Sequence, residues 1–403
     1  MIIDYLFKKE QFNSQSRKKK QKINIIRFIS KSDTACIIPE ISKHLKISIP
    51  TVNKLILELI DEGIILELGK KETESGRKPS LFSINKKVFY SIGVNIQLKS
   101  LRIALVDLEM SIIEFKIYED FRLENTKECL DDIILKIKAF FASYQIDVKS
   151  VLGVGIGLTG RINTKMGESL SYFNFTNQPL ATLLSKKLQL PILLENDTRA
   201  TGLAEEVCGV VGSSQDALIV NLSRGLGLSI LANGNIIRGK DGYAGEFGHM
   251  QFGLKNRLCL CGKQNCLGTE VSGYGLELDF EESKAKGRSS LLNIPDNSIS
   301  YRQILDIALK GDGLAMELIL EQGNKLGASL GNIINLLNPQ LIVIAGSYSR
   351  LGNIFIDSMK IGMSKTALVN PLKNCKIVNS HVESDKAVVL GAASLLYRKY
   401  DLI

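Results

Sequence analysis

Three cysteines fall within eight positions: Cys259, Cys261 and Cys266, in the spacing C-x-C-x4-C. Thiolates this close along a chain converge on one soft, tetrahedral cation, and three of them leave one coordination position to fill. His249, one of only three histidines, is the obvious residue to fill it. The set predicts Zn2+ held by His249, Cys259, Cys261 and Cys266. With four protein ligands the ion has no open position for water or substrate, so its role is structural rather than hydrolytic. Cys36, Cys129, Cys208 and Cys375 are scattered and read as reduced, buried thiols. The odd total of seven argues against a disulfide framework.

A second chemistry is written in charge. The chain of 403 residues carries a net charge of +9. Residues 1–88 hold 18 Lys/Arg against 10 Asp/Glu, a net of +8, and residues 89–403 hold 33 against 32. A basic module on a neutral body implies a polyanionic partner for that module.

The elements that must position these groups follow from periodicity. Residues 18–30 place Ile23, Ile26 and Ile29 at helical spacing, beside Ile25 and Phe28. A short helix is expected over Ile38–Leu45, with Pro39 in its first turn. Lys46-Ile47-Ser48 is a tight connection, Ser48 is placed to cap a third helix, and Pro50 fits that helix's first turn. Val52, Leu55, Ile56, Leu59 and Ile60 form one apolar stripe along it, and Gly63 ends it. The open face then carries Thr51, Asn53 and Lys54, placed to meet base edges or phosphates. Strands over 64–68 and 81–84 flank a polar stretch with Arg77 and Lys78, a basic hairpin tip suited to phosphate or minor-groove contact. The sum is a winged helix-turn-helix over residues 1–88, with Ser48, Thr51, Asn53, Lys54, Arg77 and Lys78 as its DNA-binding residues.

From Tyr90 the pattern turns to strands. Runs at 91–96, 101–107 and 112–118 are followed by a helix at about 126–144 and a strand at 151–158. A second set begins at 217–222 and 227–231, turns at Asn233-Gly234, resumes with a buried strand at 341–345, and closes on a helix at 388–398. This is an α/β pattern of two similar halves about a cleft.

Four motifs make the body specific: Gly153-Val-Gly155-Ile-Gly157-Leu-Thr-Gly160, Leu194-Glu195-Asn196-Asp197, Gly245-Glu246-Phe-Gly248-His249, and Cys259-Leu-Cys261-Gly262-Lys-Gln-Asn-Cys266. With the segment Glu74–Pro79, they resemble the ROK family of repressors, open reading frames and sugar kinases over essentially the whole chain. The resemblance implies an actin-like ATPase (ribonuclease H-like) two-lobed domain over 89–403. Its lobe I would span about 89–200 plus the C-terminal helix 386–403, and its lobe II about 201–385. It also implies the same zinc set. Glu246 and His249 would face sugar hydroxyls, with the far nitrogen of His249 on the metal, and Gly160, Asn196 and Asp197 would complete the ligand site.

Asp197 matches the base that deprotonates the sugar hydroxyl in ROK kinases. The kinases' first phosphate loop, Asp-x-Gly-Gly-Thr-Lys, aligns with Asn95–Ser100, and their second, Gly-Thr-Gly, with Ser223-Arg224-Gly225. Both are altered, and side chains stand where backbone must approach phosphate. ATP is therefore not expected, no catalytic residue is assigned, and Asp197 is a vestigial base. The usual glutamate two residues after the last zinc cysteine is Gly268 here, with Glu270 close by at a different offset.

The expected protein is a cytoplasmic, homodimeric or homotetrameric repressor, bound to double-stranded operator DNA and answering to a sugar or sugar derivative. A sugar kinase carrying a DNA-binding head is the alternative. No apolar run is long enough to span a bilayer, and the N-terminus does not read as a signal peptide.

Overall fold

Lys19, Lys22, Ile25, Ile26 and Ile29 are the described residues that the first helix buries. A computed structural model describes residues 14–32, 34–70, 78–292 and 299–403. Helix α1 (Ser14–Ser30) packs on α2 (Ile38–Leu45) and α3 (Ile49–Asp61). Ile23, expected on the inner face of α1, is only half-buried, and the stem of Lys22 takes its place. The Lys22 ammonium lies 2.9 Å from Glu58 and 2.6 Å from Glu62 on and just after α3, and Lys18 lies 2.7 Å from Glu58. Desolvation lowers the pKa of Lys22, but Glu62 and Glu58 outweigh it and the net shift is upward. Lys22→Met is expected to loosen α1 from α3 at a cost of about 1–3 kcal/mol, because both glutamates lose a charged hydrogen-bond donor. Their partial exposure keeps the loss below that of a fully buried pair. Faster amide exchange in both helices checks this.

Ser48 occupies the position before α3 with extended backbone, yet makes no capping hydrogen bond. Its hydroxyl instead lies 2.8 Å from that of Thr51. Four residues of the expected apolar stripe of α3, Val52, Leu55, Ile56 and Leu59, are buried, while Ile60 at its end is half-buried and Asn53 and Lys54 are exposed. Strands β1 (Ile65–Lys70) and β2 (Ser80–Ile84) pair antiparallel, in the element order of a winged helix-turn-helix. Lys78 is exposed, and Arg77 lies outside the described residues.

The described residues group into two compact units. The first comprises this head and the chain to Leu158, Met166–Glu195 and Ala392–Ile403. Its sheet contains β3 (Tyr90–Gln97), β4 (Ser100–Val106), β5 (Ile112–Tyr118), β6 (Val151–Leu158) and β9 (Ile192–Asn196); the two-residue strands β7 (Ile162–Asn163) and β8 (Glu168–Ser169) are not part of it. The sheet order is β5-β4-β3-β6-β9, with β3 and β6 parallel. Helices α4 (Lys127–Ser143) and α5 (Leu180–Leu188) pack together.

The second unit comprises Thr159–Lys165 and Asn196–Gly391. It opens with α6 (Asp197–Val207) and builds a sheet from β10 (Ala217–Leu222), β11 (Leu226–Ala232), β12 (Asn235–Ile236), β13 (Leu341–Ala345) and β14 (Lys376–Asn379), in the order β12-β11-β10-β13-β14. Asn233 and Gly234 both take positive φ at the hairpin turn expected there. Helices α7 (Gly273–Ala285), α8 (Tyr301–Leu309), α9 (Gly313–Leu337), α10 (Asn353–Met363) and α11 (Val369–Asn374) supply its core, where Phe280, Leu326, Leu330, Phe355 and Met359 are fully buried. The last helix, α12 (Ser384–Lys399), begins in this unit and ends in the first. No described helix is long and apolar enough to cross a membrane. Cys36, Cys129 and Cys375 are buried free thiols, whereas Cys208, expected to be buried, is exposed.

Candidate metal and ligand-binding site

The metal candidates come together. One donor atom each from His249, Cys259, Cys261 and Cys266 lie within 4.8 Å of one another. Cys259 Sγ is 3.6 Å from His249 Nδ1, and the sulfurs of Cys261 and Cys266 are 3.5 Å apart. Bonds of about 2.3 Å to sulfur and about 2.0–2.1 Å to nitrogen around a tetrahedral Zn2+ place donor atoms roughly 3.5–3.8 Å apart. The residues present therefore fit a metal ion. Burial and the neighbouring sulfurs of Cys261 and Cys259 push the Cys266 thiol up to about 12.

The foot of this loop is anchored without help from a metal. Glu270 is fully buried and accepts from the backbone N–H groups of Leu254 and Lys255 and from Lys325 of α9. Arg257 bridges Asp279 and Glu282 of α7. Desolvation raises the pKa of Glu270, but Lys325 and the loop amides hold it below the ordinary carboxylate value. Glu270 is thus committed to the loop, so it does not stand in for the carboxylate absent at Gly268. Gly268 itself abuts the carbonyl of Gly248, which a Cβ there would meet at 3.2 Å.

The ligand candidates gather at the N-terminus of α6. Asn196 caps this helix, its Oδ1 accepting from the N–H groups of Thr198 (3.0 Å) and Arg199 (3.2 Å). Its Nδ2 donates to the Gly160 carbonyl (2.9 Å) and to Asp197 (3.1 Å). Both ends of the Asn196 side chain are thus hydrogen-bonded within the protein, to the helix amides, Gly160 and Asp197. Asp197 is half-buried and accepts from Thr198 N–H at 2.7 Å. Desolvation raises its pKa, Thr198, Thr159 and Arg199 oppose the rise, and the charge of Glu246 adds to it. Glu246 in turn lies 3.7 Å from Nε2 of His249. His249 therefore turns one ring nitrogen toward Glu246 and the other toward the cysteines.

Two contributors were missed in the sequence. Thr159 bonds Asp197. Arg199, fully buried, donates to the carbonyls of Gly242 (2.7 Å) and Ile162 (3.1 Å), fixing the segments on either side of the site. Arg199 left a signal, the one basic residue of its helix, set in the first turn. In the head, Lys18 and Gln21 of α1 line a concavity of about 390 Å³ with Thr51 and Lys54.

The segments aligned with phosphate loops are cross-linked by side chains. Gln97 accepts from Arg102 at 2.7 Å. Asn95 is fully buried and neither of its amide atoms has a hydrogen-bond partner. Ser223 Oγ accepts from Ser347 N–H at 3.0 Å, and Arg224 pairs with Glu277 at 3.1 Å.

Residues 91–399 match the ROK family. The chain belongs to the ROK family. It is similar to the xylose repressor of Caldicellulosiruptor bescii, 29% identical over 363 residues that cover 89% of this chain and 90% of that protein. Among solved structures, a ROK family transcriptional regulator, a homologue of the E. coli MLC protein, superposes with a TM-score of 0.79 at 26% identity, covering 95% of this chain and 97% of its own. The ROK family glucokinase of Streptomyces griseus, solved with glucose and AMPPNP, superposes with a TM-score of 0.66 at 26% identity, covering 76% of this chain and 98% of its own. The ROK regulator and this chain thus share nearly their whole length, while the ROK kinase corresponds to a part of it.

Proposed function

We propose that this ROK protein is a DNA-binding transcriptional repressor whose ROK body binds a sugar or sugar derivative without phosphorylating it. The carrying observation is the basic three-helix head with its paired strands, which leaves Asn53 and Lys54 exposed near the start of α3. Ser48, Thr51, Asn53, Lys54, Lys78 and Arg77 are its DNA-contacting residues, α3 entering the major groove and the tip between β1 and β2 reaching backbone. The repressor acts in the cytoplasm as a homodimer or homotetramer, so that two heads meet a two-fold operator.

The sugar is held by the carboxylate of Asp197, the Gly160 segment and the Glu246–His249 turn. Zn2+, held by His249, Cys259, Cys261 and Cys266, fixes the ring of His249 and so the direction of its other nitrogen. The lack of a carboxylate at Gly268 selects an effector that does not rely on that acceptor. ATP is not a cofactor, because side chains of Gln97, Ser223 and Arg224 are engaged where phosphate would need free backbone.

The test is duplex binding to the chain's own upstream region. Affinity is expected to fall by about 10³-fold or more between 50 and 200 mM salt, as counterions are released from several phosphates. A sugar or amino sugar from a thermal-shift panel is expected to release the complex. No binding at low salt overturns the reading. The environment of Asp197, a carboxyl of raised pKa beside the ligand candidates, favours one second reading, an active sugar kinase. ADP release over a panel of hexoses and amino sugars decides it, and turnover that Asp197→Asn abolishes would establish the kinase.

A further inference from the structure

We propose that α12 transmits the state of the ligand site to the head, and that Tyr400, Asp401 and Leu402 are positioning residues for DNA reading. The proposal rests on the repressor reading above. Three sets of contacts carry it.

The first lies beside the ligand site. Gly391 of α12 packs against α6 so closely that a Cβ on it would stand 1.7 Å from the carbonyl oxygen of Ala200. Ala200 is three residues from Asp197, on the helix that Asn196 caps. The two helices therefore touch backbone to backbone, with no side chain between them to rearrange and absorb a shift.

The second set holds the middle of α12. The carbonyl of Ala392, the next residue, presses on β6, where a Cβ on Gly155 would meet it at 1.8 Å. Ser91 Oγ donates to the carbonyl of Ala393 at 3.1 Å. Tyr397, fully buried, donates its hydroxyl to the carbonyls of Val106 (2.7 Å) and Phe89 (3.2 Å). Phe89 lies in the short junction between β2 and β3, which joins the head to the body.

The third set is a clasp on the head. Beyond Lys399 the chain turns at Asp401, whose φ is +59°, and Leu402 N–H returns to the carbonyl of Tyr397 at 2.9 Å. Leu402 is fully buried. Arg27 Nε donates to the Tyr400 carbonyl at 3.0 Å, Ser30 Oγ donates to the Leu402 carbonyl at 2.8 Å, and Lys31 pairs with Asp401. All three partners lie at or just past the end of α1, the helix that Lys22 ties to α3.

A helix rises about 1.5 Å per residue, so Gly391 to Lys399 is a rigid rod of roughly 12 Å. Close-packed interiors pass on displacement rather than absorbing it. A shift of α6 on ligand binding is handed through Gly391 to α12, and by the clasp to α1 and the DNA-reading helix. Coupling of this kind is established only when one perturbation depends on the other.

The experiment is a double-mutant cycle on the full chain, read without any sugar. One arm is Gly391→Ala, which displaces α12 from α6. Tyr397→Phe, which removes the two hydroxyl bonds, replaces it if the first variant does not fold. The other arm is a chain ending at Lys399. The arms are read by operator affinity and by amide exchange over residues 23–32.

Gly391→Ala is expected to change operator affinity at least 10-fold in the full chain and less than 2-fold in the shortened chain. The shortening itself is expected to speed exchange over residues 23–32 at least 10-fold, leaving the β10–β13 amides unchanged. An equal effect of Gly391→Ala in both chains, or unaltered exchange on shortening, overturns the proposal. If the wild-type chain binds no duplex, the repressor reading falls, while the exchange arm still tests the clasp.

Discussion

Cys261→Ser is expected to abolish stoichiometric zinc binding and to lower the melting temperature by roughly 10 °C. The serine hydroxyl is a hard, neutral donor where a thiolate is needed, and three remaining ligands hold the ion far less firmly. Cys261 is exposed, so the change costs almost nothing in packing and the loss reports on the metal. Cys266, fully buried, would confound the two. Binding to the folded state alone contributes about 4 kcal/mol when free metal stands 1,000-fold above its dissociation constant. In a domain of about 200 residues each kcal/mol shifts melting by about 2–4 °C. The foot of the loop, held by Glu270 and Arg257, is expected to stay ordered, so proteolysis of the variant falls within residues 258–264. Elemental analysis and a melting curve check this. Less than half an equivalent of zinc in the wild type, with the variant equally stable, removes the metal from the account.

Asp197→Asn is expected to raise the effector concentration needed for operator release by about 10- to 150-fold, the equivalent of the about 1.5–3 kcal/mol that a charged hydrogen bond contributes. Operator affinity without effector is expected to be unchanged. The sign of the stability effect separates function from structure. Desolvation raises the pKa of Asp197 above its unfolded value, so the folded state disfavours the carboxylate. Folded-state stability associated with this group is full at low pH and falls as pH rises from the unfolded pKa through the raised folded one. At neutral pH the ionised Asp197 is therefore a cost, and the neutral amide removes it. The variant should melt at or above the wild type at pH 7, with the difference vanishing toward pH 3–4. A variant that melts several degrees lower assigns Asp197 to the scaffold instead.

Both predictions concern groups whose types were legible in the chain, and their partners were legible to different degrees. The three cysteines and His249 span 18 positions, so loop closure alone brings them near one another. Asn196 is different. The ROK resemblance implied it as a ligand-site residue, and in the structure helix capping uses its oxygen and the Gly160 carbonyl its nitrogen. A residue that can cap a helix is claimed by the backbone before a ligand arrives. Ser48 fails the opposite way, standing at a cap position but bonding Thr51 instead of the helix amides. Glu270, near the missing carboxylate by count, is turned away because two loop amides and Lys325 satisfy it.

What the residues determined alone was local. The stripe of α3, the turn at Asn233-Gly234, the close spacing of Cys259, Cys261 and Cys266 and the basic excess of the head each follow from neighbours a few positions apart, where backbone period and side-chain reach decide the outcome. What the tertiary structure decided was which distant surfaces share one packing. Lys22 occupies an inner face because two glutamates, Glu58 on α3 and Glu62 just after it, meet it, and Arg27 finds the Tyr400 carbonyl 373 residues away. No periodicity encodes such a pair, because the contact depends on the path of every element between, and on two glycines that let α12 lie against α6 and β6.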